Sequence, residues 1–127
     1  MEFPDDVRYT KDHEWARAEG AKVRIGITDF AQDALGDVVS VDLPEVGAAV
    51  HADQPFGEVE STKSVSDVLS PVSGTIVDKN PLIEDAPELV NQQPFGQGWL
   101  VVIEPSDLSD LDHLMDAAAY RSLVEGS

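Results

Sequence analysis

Apolar and polar residues alternate with a period of two through most of this chain, and nothing else limits its fold as strongly. Val23, Ile25 and Ile27 alternate with Lys22, Arg24 and Gly26, which sets the apolar side chains on one face of a half-buried strand. Val39, Val41 and Leu43 alternate with Ser40 and Asp42 in the same way until Pro44 closes the segment. Residues 8–10, 15–18, 56–61, 65–69, 75–78 and 100–103 are further strand candidates, with Gly, Pro and Asn between them. Short strands at such spacings predict a mainly β fold, a small antiparallel sandwich or barrel. A chain of 127 residues accommodates one core of that kind, so a single domain over 1–127 is expected.

Two segments leave this pattern. Residues 28–36 read as a short internal helix, with Asp29 and Gln32 at capping-box spacing and Gly36 at the stop. After Pro105 the period turns helical, and Leu108, Leu111, Leu114, Met115, Ala119, Leu123 and Val124 form one stripe. Ser106 suits the N-cap there, with Asp107 and Asp110 near the positive end of the helix dipole. A C-terminal helical segment over about 106–125 follows, with Gly126 and Ser127 frayed.

A faint repeat also runs through the chain. Gly36-Asp37-Val38-Val39 parallels Gly74-Thr75-Ile76-Val77, and Gln54-Pro55-Phe56-Gly57 returns as Gln93-Pro94-Phe95-Gly96. Two similar β halves joined by a hairpin would produce it; chance matching is the alternative.

Charge narrows the function classes. Eight Lys and Arg against 25 Asp and Glu give a net charge of −17, which repels nucleic-acid backbones and anionic lipid surfaces alike. Neither is expected as a partner; protein surfaces with basic docking sites are. The start, Met1-Glu2-Phe3-Pro4-Asp5-Asp6, carries neither the basic nor the apolar region of a signal peptide. No apolar run approaches the roughly 20 residues that span a bilayer. A soluble, cytoplasmic, monomeric protein is expected, or one of the mitochondrial matrix if this is a mature eukaryotic form.

Self-contained catalytic machinery is not apparent. The chain has no cysteine, and His13, His51 and His113 are scattered. Asp107, Asp110, Asp112 and Asp116 lack the glycine and terminal Glu of an EF-hand loop, so no metal site is expected there. One segment stands apart. Strand-like runs flank Ser61-Thr62-Lys63-Ser64, placing Lys63 at the turn. That turn lacks the Asn-Gly or Asp-Gly of a tight hairpin. Lys63 either keeps a hairpin tip soluble or, inside its collar of small residues, offers an amine to a modifying enzyme.

Glu60-Ser61-Thr62-Lys63-Ser64-Val65-Ser66-Asp67, followed by Ser70-Pro71-Val72-Ser73-Gly74, resembles the lipoyl-lysine hairpin of the glycine cleavage system H proteins. The likeness extends through Tyr9-Thr10-Lys11-Asp12-His13-Glu14-Trp15, Gly26-Ile27-Thr28-Asp29, Ala31-Gln32, Leu35-Gly36-Asp37 and Leu43-Pro44-Glu45-Val46-Gly47. It continues through Pro87-Glu88-Leu89-Val90-Asn91 and Gly98-Trp99-Leu100 to Tyr120, nearly the whole chain in order. Biotin carriers usually flank their lysine with Met, and the lipoyl domains of 2-oxo-acid dehydrogenases usually read Asp-Lys-Ala; Thr62-Lys63-Ser64 fits neither.

The resemblance implies a barrel-sandwich hybrid of two quasi-symmetric halves with lipoate attached covalently to Lys63. It implies a carrier and not an enzyme. A pyridoxal-phosphate-dependent glycine decarboxylase (the P protein) would load the aminomethyl group of glycine. A tetrahydrofolate-dependent aminomethyltransferase (the T protein) would take the methylene, and dihydrolipoyl dehydrogenase (the L protein) would reoxidise the dithiol. A lipoate ligase or octanoyltransferase would modify Lys63. The family pattern further points to Glu14 and Asp67, with Asp12 as a weaker candidate, as hosts for the loaded amine. Glu60, three residues before the lysine, and Asp67, four after it, lie on opposite arms of the hairpin, where they are either part of the frame read by the modifying enzyme or solvated strand residues. Two other readings remain open: a lipoyl relay for another lipoate-dependent complex, and an unmodified β-sandwich interaction domain.

Overall fold

In the computed structural model, which describes residues 1–126, the alternating segments are antiparallel strands in two sheets. β1 (Arg8–Tyr9), β2 (Glu14–Glu19) and β3 (Lys22–Ile27) come first, then helix α1 (Asp29–Leu35) and β4 (Val38–Asp42). β5 (Ala49–Val50), β6 (Pro55–Ser61), β7 (Val65–Leu69) and β8 (Gly74–Lys79) follow. Two one-turn helices, α2 (Leu82–Asp85) and α3 (Leu89–Gln92), lead to β9 (Val101–Pro105), a 3₁₀ segment (Leu108–His113) and α4 (Ala117–Glu125). One sheet has the order β1-β2-β3-β9-β8-β5, the other β4-β6-β7. The fold is a mainly β sandwich with short helices.

The core is what the alternation dictates. Val23 and Ile25 of β3 meet Ile76 of β8 and Val101 and Ile103 of β9 in one cluster. Ile27, Val38, Val59, Val68, Ile83, Val90 and Leu100 form a second between the sheets, and Leu43 and Phe56 pack against both. A third, with Tyr9, Trp15, Phe95 and Tyr120, lies under α4. Trp15 explains the buried glycine opposite it in register: a Cβ on Gly26 would fall 2.6 Å from the indole.

Several expectations are corrected. Val39 is not an inward strand residue. A register shift between Val38 and Ser40 turns Val38 into the core and leaves Val39 49% exposed, as a bulge does. The N-cap of α1 is Thr28, not Asp29: its Oγ1 accepts from the Ala31 amide at 3.2 Å, while Asp29 accepts from the Gln32 side chain. Ser106 caps nothing. Asp107 caps the 3₁₀ segment and Asp116 caps α4, because Leu114 and Met115 between them are extended and Met115 bridges to Tyr9. That break ends the single stripe, so α4 buries Ala117 and Tyr120 while Ala119 and Leu123 are exposed. The aspartates of this stretch act as caps and ties, Asp110 accepting from the Ser73 amide.

The first pair of the repeat leads into β4 and β8, one in each sheet. The second pair is not equivalent: Gln54–Gly57 enters β6, whereas Gln93–Gly96 is a turn after α3. Strand β5 and helices α2 and α3 were not foreseen, and Ser127, expected to fray, lies outside the described residues.

Gly26→Ala is expected to lower the stability of the fold by about 1–3 kcal/mol, the usual cost of overpacking, read as a shifted urea midpoint. An unchanged midpoint would mean that the Trp15 ring is not fixed against β3.

Candidate functional site

Serine builds the hairpin tip. The buried Ser61 hydroxyl accepts from the amides of Lys63 and Ser64, both at 3.1 Å, and donates to the Ser64 carbonyl. The Ser61 amide closes the turn onto the same carbonyl at 2.8 Å, and the Thr62 amide donates to Asp37. A side chain that replaces lost ladder bonds lets the chain turn without left-handed residues, and none of residues 61–64 has a positive φ. This is why the tip does without Asn-Gly. Lys63 stands exposed at its apex.

The lysine stem lies over Gly36, the C-terminal cap of α1. A Cβ there would sit 2.9 Å from Lys63 Cε. Gly36, at φ +84, leaves a notch for the stem. Asn91 of α3 secures the notch: it donates to the Gly36 carbonyl and to Gln32 and accepts from the Val38 amide at 2.8 Å.

Between α1, the start of β2 and the inner face of β7 runs a cleft of about 190 Å³. Its apolar walls are Ile27, Phe30, Ala31, Leu35, Val59 and Val68, and its polar edge is formed by Asp12, His13, Glu14, Ser66 and Asp67. Glu14 is only 2% exposed. Its Oε1 accepts from the Thr10 hydroxyl at 2.6 Å, and its Oε2 from the Leu69 amide of the opposite sheet at 3.4 Å. Burial pushes its carboxyl from the ordinary 4.5 up to about 7, against those two hydrogen bonds and with help from the charges of Asp12 and Asp53. The cleft therefore offers an apolar channel ending at a carboxyl that a cation would readily ionise.

Of the residues expected at the site, Asp12, Glu14 and Asp67 line this one cleft. Their orientations differ. Asp67 is opposite Glu58, which is opposite Asp42, so its side chain shares the outer face of the sheet with them while Ser66 and Val68 face inward. Glu60 is on that outer face beside Ser40 and Val65, away from the cleft. Ser66, Gly36 and Asn91 were not singled out, nor was His13 as a wall residue. Among the described residues no group of three or more His, Asp or Glu is placed to hold a metal ion, and no helix is long and apolar enough to cross a membrane.

The comparisons agree along the whole chain. The family described as "Glycine cleavage H-protein" matches residues 7–127. The glycine cleavage system H protein of Anaeromyxobacter sp. (strain K) is 54% identical over 125 residues, covering 98% of each chain. That of Geobacillus thermodenitrificans is 55% identical over 124 residues, again covering 98% of each. The fold superposes on the crystal structure of a glycine cleavage system H protein from Mycobacterium marinum with a TM-score of 0.87 at 42% identity, covering 98% of this chain and 99% of the other.

Between pH 4.5 and about 7 the folded protein holds a proton on Glu14 that the unfolded chain has lost, so this group's contribution to stability falls as pH rises through that window. Glu14→Gln is expected to gain stability relative to wild type by up to about 1.4 kcal/mol per pH unit across it, levelling off above. Urea titrations of both proteins from pH 4.5 to 8 measure this; a pH-independent difference would contradict it.

Proposed function

The chain belongs to the glycine cleavage H-protein family, and on that premise we propose that Lys63 carries a covalently attached lipoyl group whose free end docks in the cleft beside α1. Membership makes the protein a carrier subunit of the glycine cleavage system and not a catalyst. The observation that supports Lys63 most directly is its setting: an exposed amine on a serine-braced turn, with its stem over a glycine notch that a Cβ would fill. When bound, the group supplies a dithiolane that accepts an aminomethyl unit and electrons and yields them to different enzymes.

The protein's own residues present and shelter that arm. Ser61 keeps Lys63 at the apex, where a lipoate ligase or octanoyltransferase can acylate it. Gly36 leaves room for the stem to turn toward α1. At about 3.3 Å per strand residue, Ser66 to Val68 lie roughly 10–17 Å from Lys63, within reach of a lysine extended by a lipoyl chain. The apolar walls suit the hydrocarbon, and Glu14, with Asp12 at the rim, suits a cationic amine: a hydrogen bond to a charged partner is worth about 1.5–3 kcal/mol. Asp67, on the outer face, acts at the lip or not at all. Exclusion of water protects a load that would otherwise be lost as formaldehyde and ammonia.

Tethering raises the effective concentration of the load at each partner. In our reading these are the glycine decarboxylase, the aminomethyltransferase and dihydrolipoyl dehydrogenase, met in the cytoplasm, and the acidic surface favours basic docking sites on them.

Lys63→Arg is expected to fold normally and to gain no mass in a lipoate ligase assay; lipoate uptake by this variant would refute the assignment. In lipoylated, aminomethyl-loaded protein, Glu14→Ala is expected to release formaldehyde tenfold or more faster than wild type, and an unchanged rate would move the shelter elsewhere. Glu60→Gln is expected to slow lipoylation modestly at unchanged melting temperature; an unchanged rate would leave Glu60 as surface.

A further inference from the structure

The cleft has a support from the far end of the chain. Tyr120 of α4 is completely buried, and its hydroxyl lies 2.8 Å from His13 Nδ1 and 2.7 Å from Thr28 Oγ1. His13 is a wall of the cleft, and Thr28 is the N-cap of α1, which supplies Phe30, Ala31, Ala34 and Leu35 to the other wall. Building on the arm-docking reading above, we propose that Tyr120 is a positioning residue of the dock: its single hydroxyl fixes both walls, so α4 completes the site.

One arrangement satisfies all three groups. Thr28 Oγ1 accepts from the Ala31 amide and has its hydrogen free for the Tyr120 oxygen. With the His13 ring neutral, as burial favours, and its proton on Nε2, Nδ1 accepts the phenolic hydrogen. His13 also needs a tether. It adopts φ +72, a left-handed conformation that costs free energy in a non-glycine residue, and its ring packs at 4.6 Å on Phe30 across the mouth of the cleft.

Anchoring α4 alone would not call for the hydroxyl. The Tyr120 ring stacks on Tyr9 at 4.5 Å with an interplanar angle of 3°, and meets Phe3 at 5.9 Å. Those contacts survive in phenylalanine, so Tyr120→Phe isolates the hydroxyl.

The test uses two readouts on the full chain. In unlipoylated Tyr120→Phe, amide hydrogen exchange at Ala31 and Thr28 is expected to rise threefold to tenfold, the scale of one hydrogen bond. In lipoylated, aminomethyl-loaded Tyr120→Phe, with loading matched by intact mass, formaldehyde release is expected to accelerate by a similar factor. His13→Asn keeps a residue type tolerant of positive φ, and in that background Tyr120→Phe is expected to add only the share carried through Thr28, less than its effect in the wild-type background. The proposal is overturned if Tyr120→Phe leaves exchange and release at wild-type values while Glu14→Ala accelerates release. Full additivity of His13→Asn and Tyr120→Phe overturns it as well. If Glu14→Ala also releases at the wild-type rate, the docking reading beneath it falls too.

Discussion

One buried carboxyl ties the two sheets together where the cleft opens. Glu14 begins β2 in the six-stranded sheet and accepts from Leu69 of β7 in the three-stranded one, while Thr10 holds its other oxygen. Burying a carboxyl is costly unless it is protonated or well bonded, and here the raised pKa shows that cost only partly offset. A purely structural tie between sheets would be better made by a neutral side chain. In the reading proposed above, the carboxyl is a group that receives a positive charge.

That arrangement divides the labour between rigid pieces. The antiparallel β6–β7 hairpin carries Lys63 outward, and Ser61 fixes its tip with backbone-directed bonds. Helix α1 provides the wall along which an arm can lie, capped at one end by Thr28 and at the other by Gly36, where Asn91 holds the carbonyl.

All strands but β5 were legible because period-two alternation is a direct record of which face is buried, and 65–69 matches its predicted limits; β5, two residues long, is too short to show a period. Val39 was not legible, since a bulge changes the face without changing the pattern. Helices α2 and α3 escaped notice because each is a single turn whose N-cap residue makes no side-chain cap bond; Asn80, just before α2, accepts from the Leu82 amide, and Asn91 ties α3 to the Gly36 carbonyl. The exposed place of Lys63 between two strands was legible from its turn. Glu14 was named by family likeness, but its burial was hidden, because a strand-initial glutamate reads as solvated until Thr10 and the opposing sheet close over it. The Tyr120–His13 contact spans 107 residues and carries no local signal; only the presence of Tyr120 at the end of the family pattern hinted at it.

The central claim is that an arm on Lys63 places its load against Glu14, between α1 and β7. An isotope-edited NOE spectrum of lipoylated protein loaded with a ¹³C-labelled aminomethyl group tests it most directly. The account predicts cross-peaks from the labelled methylene to cleft side chains, Phe30, Ala34 and Val68 among them. A methylene that relaxes as freely as the arm of an unfolded chain and shows no cross-peak to any cleft residue would contradict it.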